Sequence, residues 1–116
     1  LAQRPEVAEV VYPALPQSRA HALWQRDFRG ASGLFGVVLK PVAKDRVDAM
    51  LDSLSLFAMG WSWGGFESLA IPIRPNRARS VSRFDAAGPM LRLHVGLEDA
   101  DDLVEDLDKA FAALSR

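Results

Sequence analysis

The residues best suited to chemistry lie in the stretch 59–69, MGWSWGGFESL, which places Ser62 between two tryptophans and among three glycines. Glycine is favoured where the backbone needs a positive φ or where another group approaches closely. Gly60 on one side and the pair Gly64-Gly65 on the other are therefore expected to bend the chain around Ser62. The resulting loop would present one hydroxyl between two indoles. The structural alternative is a buried aromatic corner, because tryptophan is mostly buried and Gly-Gly is a common turn signal.

Arg92 is the second candidate for chemistry. Residues 90–95 alternate between apolar and polar side chains, which predicts a strand with two different faces. Arg92 lies on the polar face, away from the side that helices are expected to cover. Because an arginine in the middle of a strand is costly to bury without an anion, it needs a partner. The spacing leaves two partners open, a buried carboxylate of the protein or a bound ligand.

Three other groups of polar residues are interpreted as structural. His21 has no second ligand at helical spacing and the chain has no cysteine, so no metal site is predicted. The arginines of segment 74–86 lie among Ser, Pro and Asn with Phe84 as their one aromatic neighbour, which favours a solvated loop over a nucleic-acid-binding arm. The acidic run 99–102 is typical of the first turn of a helix, where carboxylates meet the positive dipole end.

The composition is that of one soluble domain. The 116 residues are 49% hydrophobic and 25% charged with a formal net charge of -1, so neither a nucleic acid nor an anionic membrane is an expected partner. No apolar run approaches the roughly 18 residues of a membrane span, and no secretion signal opens the chain. The lack of cysteine suits a reducing cytosol. The opening residues 1–6 resemble the tail of a helix broken by Pro5, so the chain is expected to be part of a longer one.

Hydrophobic periodicity predicts the elements that position these residues. Strands are expected at 7–12, 34–39, 55–59, 68–73 and 90–95, and helices from an N-cap at Ser18 to near Gly30, at 44–54 and at 99–114. Strand 34–39 is apolar throughout and should be central, whereas Pro72 makes 68–73 an edge strand. The last two helices need one shared surface for their apolar stripes. The expected fold is therefore α/β, an open mixed and largely antiparallel sheet with helices on one face.

Three stretches together resemble the C-terminal part of the Cys/Met-metabolism pyridoxal-phosphate enzymes: 23–35 (LWQRDFRGASGLF), 55–69 (SLFAMGWSWGGFESL) and 91–99 (LRLHVGLED). Most members of that family have Ser-Leu-Gly-Gly-x-Glu-Ser in the glycine-rich stretch. The version with Ser62-Trp63-Gly64-Gly65 is similar to the bacterial cystathionine β-lyase branch. The resemblance implies that residues 1–116 form the small C-terminal domain of a fold type I enzyme, with the large cofactor-binding domain outside this chain.

The resemblance also implies roles for individual residues. Arg92 would bind the substrate α-carboxylate, because a guanidinium grips a carboxylate with two bonds and fixes the amino acid for reaction. Ser62 would be a catalytic residue beside the reacting lysine and cofactor, and Trp61 and Trp63 would line the substrate pocket. Family members more often carry a tyrosine in place of Trp61, so the resemblance assigns no hydroxyl role to that position.

The cofactor implied by the resemblance is pyridoxal 5'-phosphate, which needs a Schiff-base lysine. Lys40, Lys44 and Lys109 are the only lysines, and none stands in the family's cofactor-lysine motif. The cofactor is therefore expected in the large domain, and the chain alone is expected to be inactive. The whole enzyme would be a cytoplasmic homotetramer that converts cystathionine to homocysteine, pyruvate and ammonia in methionine biosynthesis. The alternatives are a sister carbon-sulfur enzyme, such as a cystathionine γ-synthase or cysteine desulfhydrase, and a small amino-acid-sensing module without enzymatic activity.

Overall fold

A computed structural model of the chain describes residues 1–114. Its elements follow in the order β1 (Val7–Val11), α1 (His21–Asp27), β2 (Leu34–Leu39), α2 (Lys44–Asp52), β3 (Leu69–Ile73), β4 (Met90–His94) and α3 (Ala100–Leu114), with one turn of 3-10 helix at Pro75–Arg77 between β3 and β4. The predicted order of strands and helices is thus confirmed, apart from the strand expected at 55–59.

The strands form one sheet in the order β1-β2-β4-β3, and all three pairs are antiparallel. Strand β2 is internal and β3 lies at the edge, as the apolar run and Pro72 predict. Arg92 lies in the middle of β4, between Gly36 of β2 and Ile71 of β3. The sheet therefore fixes the backbone of Arg92 from both sides.

The prediction of a strand at 55–59 is wrong. The segment makes a single parallel bridge, between Ala58 and Leu69. The backbone N–H groups of Ser55, Leu56 and Phe57 donate instead to the carboxylate of Asp106 on α3. Because a side chain uses up these donors, the segment has no row of N–H groups left to pair with β3.

The hydrophobic core lies between one face of the sheet and the helices α2 and α3. It combines alternate residues of the two internal strands with the apolar stripes of both helices: Val37, Leu39, Leu91, Leu93, Val47, Met50, Leu51, Leu103, Leu107, Ala110 and Phe111. Full burial of one such large aliphatic or aromatic side chain stabilises the fold by about 1.5–3 kcal/mol. Helix α1 buries no residue, so the two helices that do share one core, as predicted.

Helix α1 is shorter than predicted. It begins after Ala20, and no side chain caps it. The hydroxyl of Ser18, the predicted N-cap, accepts a hydrogen bond from the backbone N of Ala20 at 3.3 Å, and the chain turns before the helix starts. The apolar side chains of Leu23 in the helix and of Phe28 directly after it are 56% and 64% exposed. The amphipathic pattern is therefore present, but it does not face the core.

The N-terminus of α3 is capped as the acidic run predicts. Asp99 Oδ1 accepts hydrogen bonds from the backbone N of Asp101 at 2.9 Å and of Asp102 at 3.4 Å. The arginine-containing segment 74–86 is mostly exposed, in agreement with the solvated loop expected there. Among residues 1–114, no helix has both the length and the apolar character that crossing a membrane requires.

Candidate functional site

Arg92 is held by the glycine-rich loop rather than by a charged partner. Its Nη2 donates to the carbonyl oxygens of Gly60 at 3.3 Å, Trp61 at 2.8 Å and Ser62 at 3.0 Å. The guanidinium carbon also lies 5.8 Å from the centre of the Trp61 ring, within the range of a cation-π contact. Three consecutive carbonyls therefore fix one end of the guanidinium on the polar face of β4.

No carboxylate of residues 1–114 pairs with Arg92. Of the two partners that the sequence left open, the carboxylate of this chain is therefore not found within the described residues. Carbonyl oxygens are neutral, so the positive charge of Arg92 is solvated by the loop but not neutralised. Within the same residues Nε and Nη1 make no hydrogen bond, which leaves three N–H donors on two nitrogens for an anion.

The loop itself is exposed. Trp61 and Trp63 are 75% and 62% exposed, and Ser62 is exposed as well. Gly64 has a φ of +81°, the conformation for which glycine is favoured, so the chain turns sharply after the two tryptophans. The alternative of a buried aromatic corner is wrong for this chain. The structure instead presents two indoles and one hydroxyl on the surface beside Arg92.

His94 holds the second half of the same loop, a contact that the sequence reasoning did not anticipate. Nε2 of its buried ring lies 3.0 Å from the carbonyl oxygen of Gly65. The backbone N–H of Gly64 is directed at the nitrogens of the same ring. Both polar residues of β4 thus contact the loop, Arg92 at 60–62 and His94 at 64–65. The signal in the sequence was the alternation that places His94 on the same face as Arg92.

Glu98 and Ser68 hold the far end of the loop. The backbone N of Ser68 donates to Oε1 of Glu98 at 2.7 Å, and the buried Ser68 hydroxyl donates to Oε2 at 2.8 Å. The pKa of Glu98 is lowered, because hydrogen bonds favour its ionised form. The largest contribution comes from the backbone N–H of Ser68. Gly96 is required here, because a Cβ on it would lie 2.2 Å from the carbonyl oxygen of Phe66.

Asp106 holds the segment that leads into the loop. It is only 5% exposed, and it accepts backbone hydrogen bonds from Ser55 at 2.9 Å, Leu56 at 2.9 Å and Phe57 at 3.3 Å. The sequence reasoning missed this residue. Its position was nevertheless informative, because Asp106 follows Leu103 by three residues and therefore lies on the buried stripe of α3, where a carboxylate needs donors.

The comparisons with known proteins identify the family. The sequence profile of the Cys/Met metabolism PLP-dependent enzymes matches residues 1–112. The chain belongs to this family. The resemblance inferred from the three stretches is thereby confirmed, and the fold type I class follows from the structural neighbours.

Relatives of this domain have several different activities. The chain is 47% identical to cystathionine β-lyase of Escherichia coli K12, over 98% of this chain and 30% of that protein. It is 40% identical to the L-alanine/L-glutamate racemase of Wolbachia pipientis, over 98% of this chain and 29% of that protein. A crystal structure of cystathionine γ-synthase from Xanthomonas oryzae in complex with cystathionine superposes with a TM-score of 0.82 at 30% identity, covering 99% of this chain and 31% of that chain. The chain thus spans about 30% of the length of the curated relatives it matches.

The lysines of this chain do not fit the role of a cofactor anchor. Lys44 forms an ion pair with Asp48 on α2, and Lys109 forms one with Glu105 on α3. Lys40 is exposed at the end of β2. Within residues 1–114 none of the three lysines makes a hydrogen bond to Ser62 or Arg92, and no group of three or more His, Asp or Glu side chains is arranged to hold a metal ion. Within residues 1–114 the glycine-rich loop thus presents the guanidinium of Arg92 and the hydroxyl of Ser62 without a lysine hydrogen-bonded to either.

Proposed function

We propose that the whole enzyme containing this chain is a cystathionine β-lyase, which cleaves cystathionine to homocysteine, pyruvate and ammonia. In this proposal the chain is the small C-terminal domain and supplies Arg92 to the substrate α-carboxylate. The observation that carries the proposal is the state of Arg92, whose guanidinium is held in place by three neutral carbonyls while Nε and Nη1 stay available. A cation that is positioned but not neutralised is suited to bind an anion.

The role of each residue follows from this geometry. A two-bond grip uses adjacent nitrogens of the guanidinium, so a carboxylate would take Nη1 or Nε together with a proton of Nη2 that the loop now shares. Trp61 covers the guanidinium, and Trp63 on the same exposed loop is proposed to line the substrate pocket. These contacts fix the amino acid at its carboxylate, which orients the bond to be broken.

Ser62 is proposed as the catalytic residue of the chain. Its hydroxyl is exposed and makes no hydrogen bond within residues 1–114, whereas its carbonyl oxygen accepts from Arg92. The carbonyl therefore sets the position of the hydroxyl relative to the bound carboxylate. Pyridoxal phosphate, held in this proposal by the rest of the enzyme, supplies the electron sink for the reaction. We further propose an amino-acid substrate, a place in methionine biosynthesis, a cytoplasmic location and a homotetrameric assembly.

A sister activity is the second candidate. The similarity to the γ-synthase structure that holds cystathionine favours it, since the same domain there belongs to an enzyme of different reaction type. Trp63 favours the β-lyase, because it replaces the leucine that the family's pattern carries between Ser62 and Gly64.

The products of the whole enzyme decide between these activities. Cleavage on the β side of cystathionine yields pyruvate and homocysteine, whereas cleavage on the γ side yields 2-oxobutyrate and cysteine. We expect the full-length protein, supplied with pyridoxal phosphate and cystathionine, to release pyruvate in excess over 2-oxobutyrate. Release of 2-oxobutyrate as the main keto acid, or racemisation of alanine without release of either, would contradict the β-lyase proposal.

A further inference from the structure

The loop that holds Arg92 is anchored at both ends by carboxylates. We define the site loop as residues 58–67. Asp106 on α3 binds the backbone N–H groups of 55–57, directly before the site loop, and Glu98 binds the backbone N and hydroxyl of Ser68, directly after it. Between these anchors the side chains are largely exposed. The site loop is thus fixed at its ends by the two carboxylates, while the side chains in its middle face solvent and its backbone there contacts Arg92 and His94.

The anchor at Asp106 is held in place by the packing of α3. The flanking residues Leu103 and Leu107 belong to the hydrophobic core, so the backbone at Asp106 cannot shift without disturbing that packing. A buried carboxylate is costly unless hydrogen bonds satisfy it, so releasing 55–57 would leave an unpaired buried charge. The position of α3 therefore fixes the position of residues 55–57, which precede the site loop.

The same chain of contacts leads to Arg92. Ala58 is joined to Leu69 by its bridge, and two residues later the carbonyls of 60–62 begin to accept from Nη2 of Arg92. The last of these carbonyls lies only five residues from Phe57, the last donor to Asp106. A change at Asp106 thus reaches the guanidinium through a short run of backbone.

We propose that Asp106 and Glu98 are positioning residues for substrate binding, which fix the site loop so that its carbonyls hold the Arg92 guanidinium in the orientation that a carboxylate needs. The inference rests on the proposed role of Arg92 in carboxylate binding. It does not depend on which bond of the substrate the enzyme breaks.

The first test compares two ligands of the full-length enzyme. L-alanine carries an α-carboxylate, and ethylamine is the same compound without it. We expect Asp106→Asn to weaken L-alanine binding about tenfold, the equivalent of the roughly 1.4 kcal/mol within reach of one or two hydrogen bonds, while ethylamine binding is unchanged. Glu98→Gln should act in the same direction with a smaller loss of about threefold. Calorimetric titration of wild type, Asp106→Asn and Glu98→Gln with each ligand measures the six affinities.

Both matched controls are exposed carboxylates of α3, Glu105 for Asp106 and Asp101 for Glu98. Glu105 is exposed and pairs with Lys109, so Glu105→Gln should leave both affinities unchanged. Asp101 lies in the first turn of α3 and is exposed, so Asp101→Asn serves the same purpose for Glu98. Should Asp106→Asn fail to fold, the comparison of Glu98→Gln with Asp101→Asn carries the test by itself.

A double-variant cycle asks whether the effect passes through Arg92. In the Arg92→Lys background the planar guanidinium is already lost, so adding Asp106→Asn should change the affinity for L-alanine by less than about twofold. Hydrogen exchange should meanwhile show faster exchange of the amides of 55–57 and of the site loop in Asp106→Asn. An equal loss of affinity in both backgrounds, or equal losses for L-alanine and ethylamine, would overturn the proposal.

The failure of this inference can be told apart from failure of the proposed function. A full-length enzyme that binds L-alanine but cleaves no cystathionine contradicts the β-lyase proposal and leaves the ligand comparison fully informative. Conversely, an active β-lyase whose L-alanine affinity is the same in Asp106→Asn, Glu98→Gln and the controls contradicts the positioning role alone.

Discussion

The two faces of strand β4 differ in how they are stabilised. On one face Leu91 and Leu93 are buried in the core, against the stripes of α2 and α3. On the other face Arg92 and His94 contact the backbone of the exposed glycine-rich loop. One strand of five residues thus joins a packed face, held by apolar burial, to a polar face that is held by hydrogen bonds to a loop.

This difference separates stability from function within one element. Apolar burial is spread over many residues, so the core positions the strand without any one contact deciding its orientation. The polar face depends on a few directed hydrogen bonds, and removing one changes the geometry of a single group. Substitutions on the packed face should therefore change stability, and those on the polar face should change ligand binding.

The largest effect is expected on the packed face. Phe111 is fully buried on α3, so Phe111→Ala should lower the free energy of unfolding by about 3–5 kcal/mol. Denaturant unfolding of the full-length enzyme measures this change. Val104→Ala is the matched control, because Val104 is exposed on the same helix and its truncation should change stability by less than about 0.5 kcal/mol. Equal effects of the two would contradict the one-sided core.

The next effect is expected on the polar face. Arg92→Lys keeps the positive charge but loses the planar guanidinium, which binds a carboxylate with two parallel N–H bonds. The kcat/KM of the full-length enzyme should therefore fall by a factor equivalent to about 2–5 kcal/mol of transition-state stabilisation. The melting temperature should change little, because the core side of β4 is untouched. Arg83→Lys, in the exposed segment 74–86, is the control. A heat-sensitive Arg92→Lys enzyme with normal specific turnover would assign Arg92 to the structure instead of the substrate.

The same contrast explains what the sequence could predict. The internal position of β2 and the stripes of α2 and α3 follow from local apolar spacing, and the edge position of β3 follows from Pro72, because each depends on residues close in sequence. The face on which Arg92 lies follows from the alternation of β4. The two motifs around Ser62 and Arg92 were enough to indicate the family that the comparisons then showed.

The contacts of the polar face could not be predicted in this way. Asp106 meets Ser55 from 51 residues further along the chain, and Glu98 meets Ser68 from 30 residues away. No local period encodes such a contact, and the strand predicted at 55–59 failed because a distant carboxylate took its donors. The exposed tryptophans were equally beyond the pattern, since an aromatic next to glycines suits a buried corner as well as an open loop.

Trp63 gives a smaller effect that sharpens the comparison between activities. If this indole lines the substrate pocket, Trp63→Leu should change the ratio of pyruvate to 2-oxobutyrate formed from cystathionine. The expected factor is equivalent to about 1–3 kcal/mol, the usual range for a changed apolar pocket. Stability should hardly change, since Trp63 lies outside the hydrophobic core of this chain. Phe66→Leu in the same loop is the control. An unchanged product ratio in Trp63→Leu would remove the reason for preferring the β-lyase.

The smallest effect concerns the pH dependence of the anchor at Glu98. Hydrogen bonds from Ser68 lower the pKa of Glu98 in the folded state, so its ionised form stabilises the fold above the unfolded pKa of roughly 4.3. This contribution is lost as the pH falls through the lowered folded pKa. Glu98→Gln cannot titrate, so the difference in melting temperature between wild type and Glu98→Gln should be constant near neutral pH and shrink below about pH 4.3. A wild-type advantage over Glu98→Gln that persists unchanged into acid would mean that the carboxylate charge does not hold the loop.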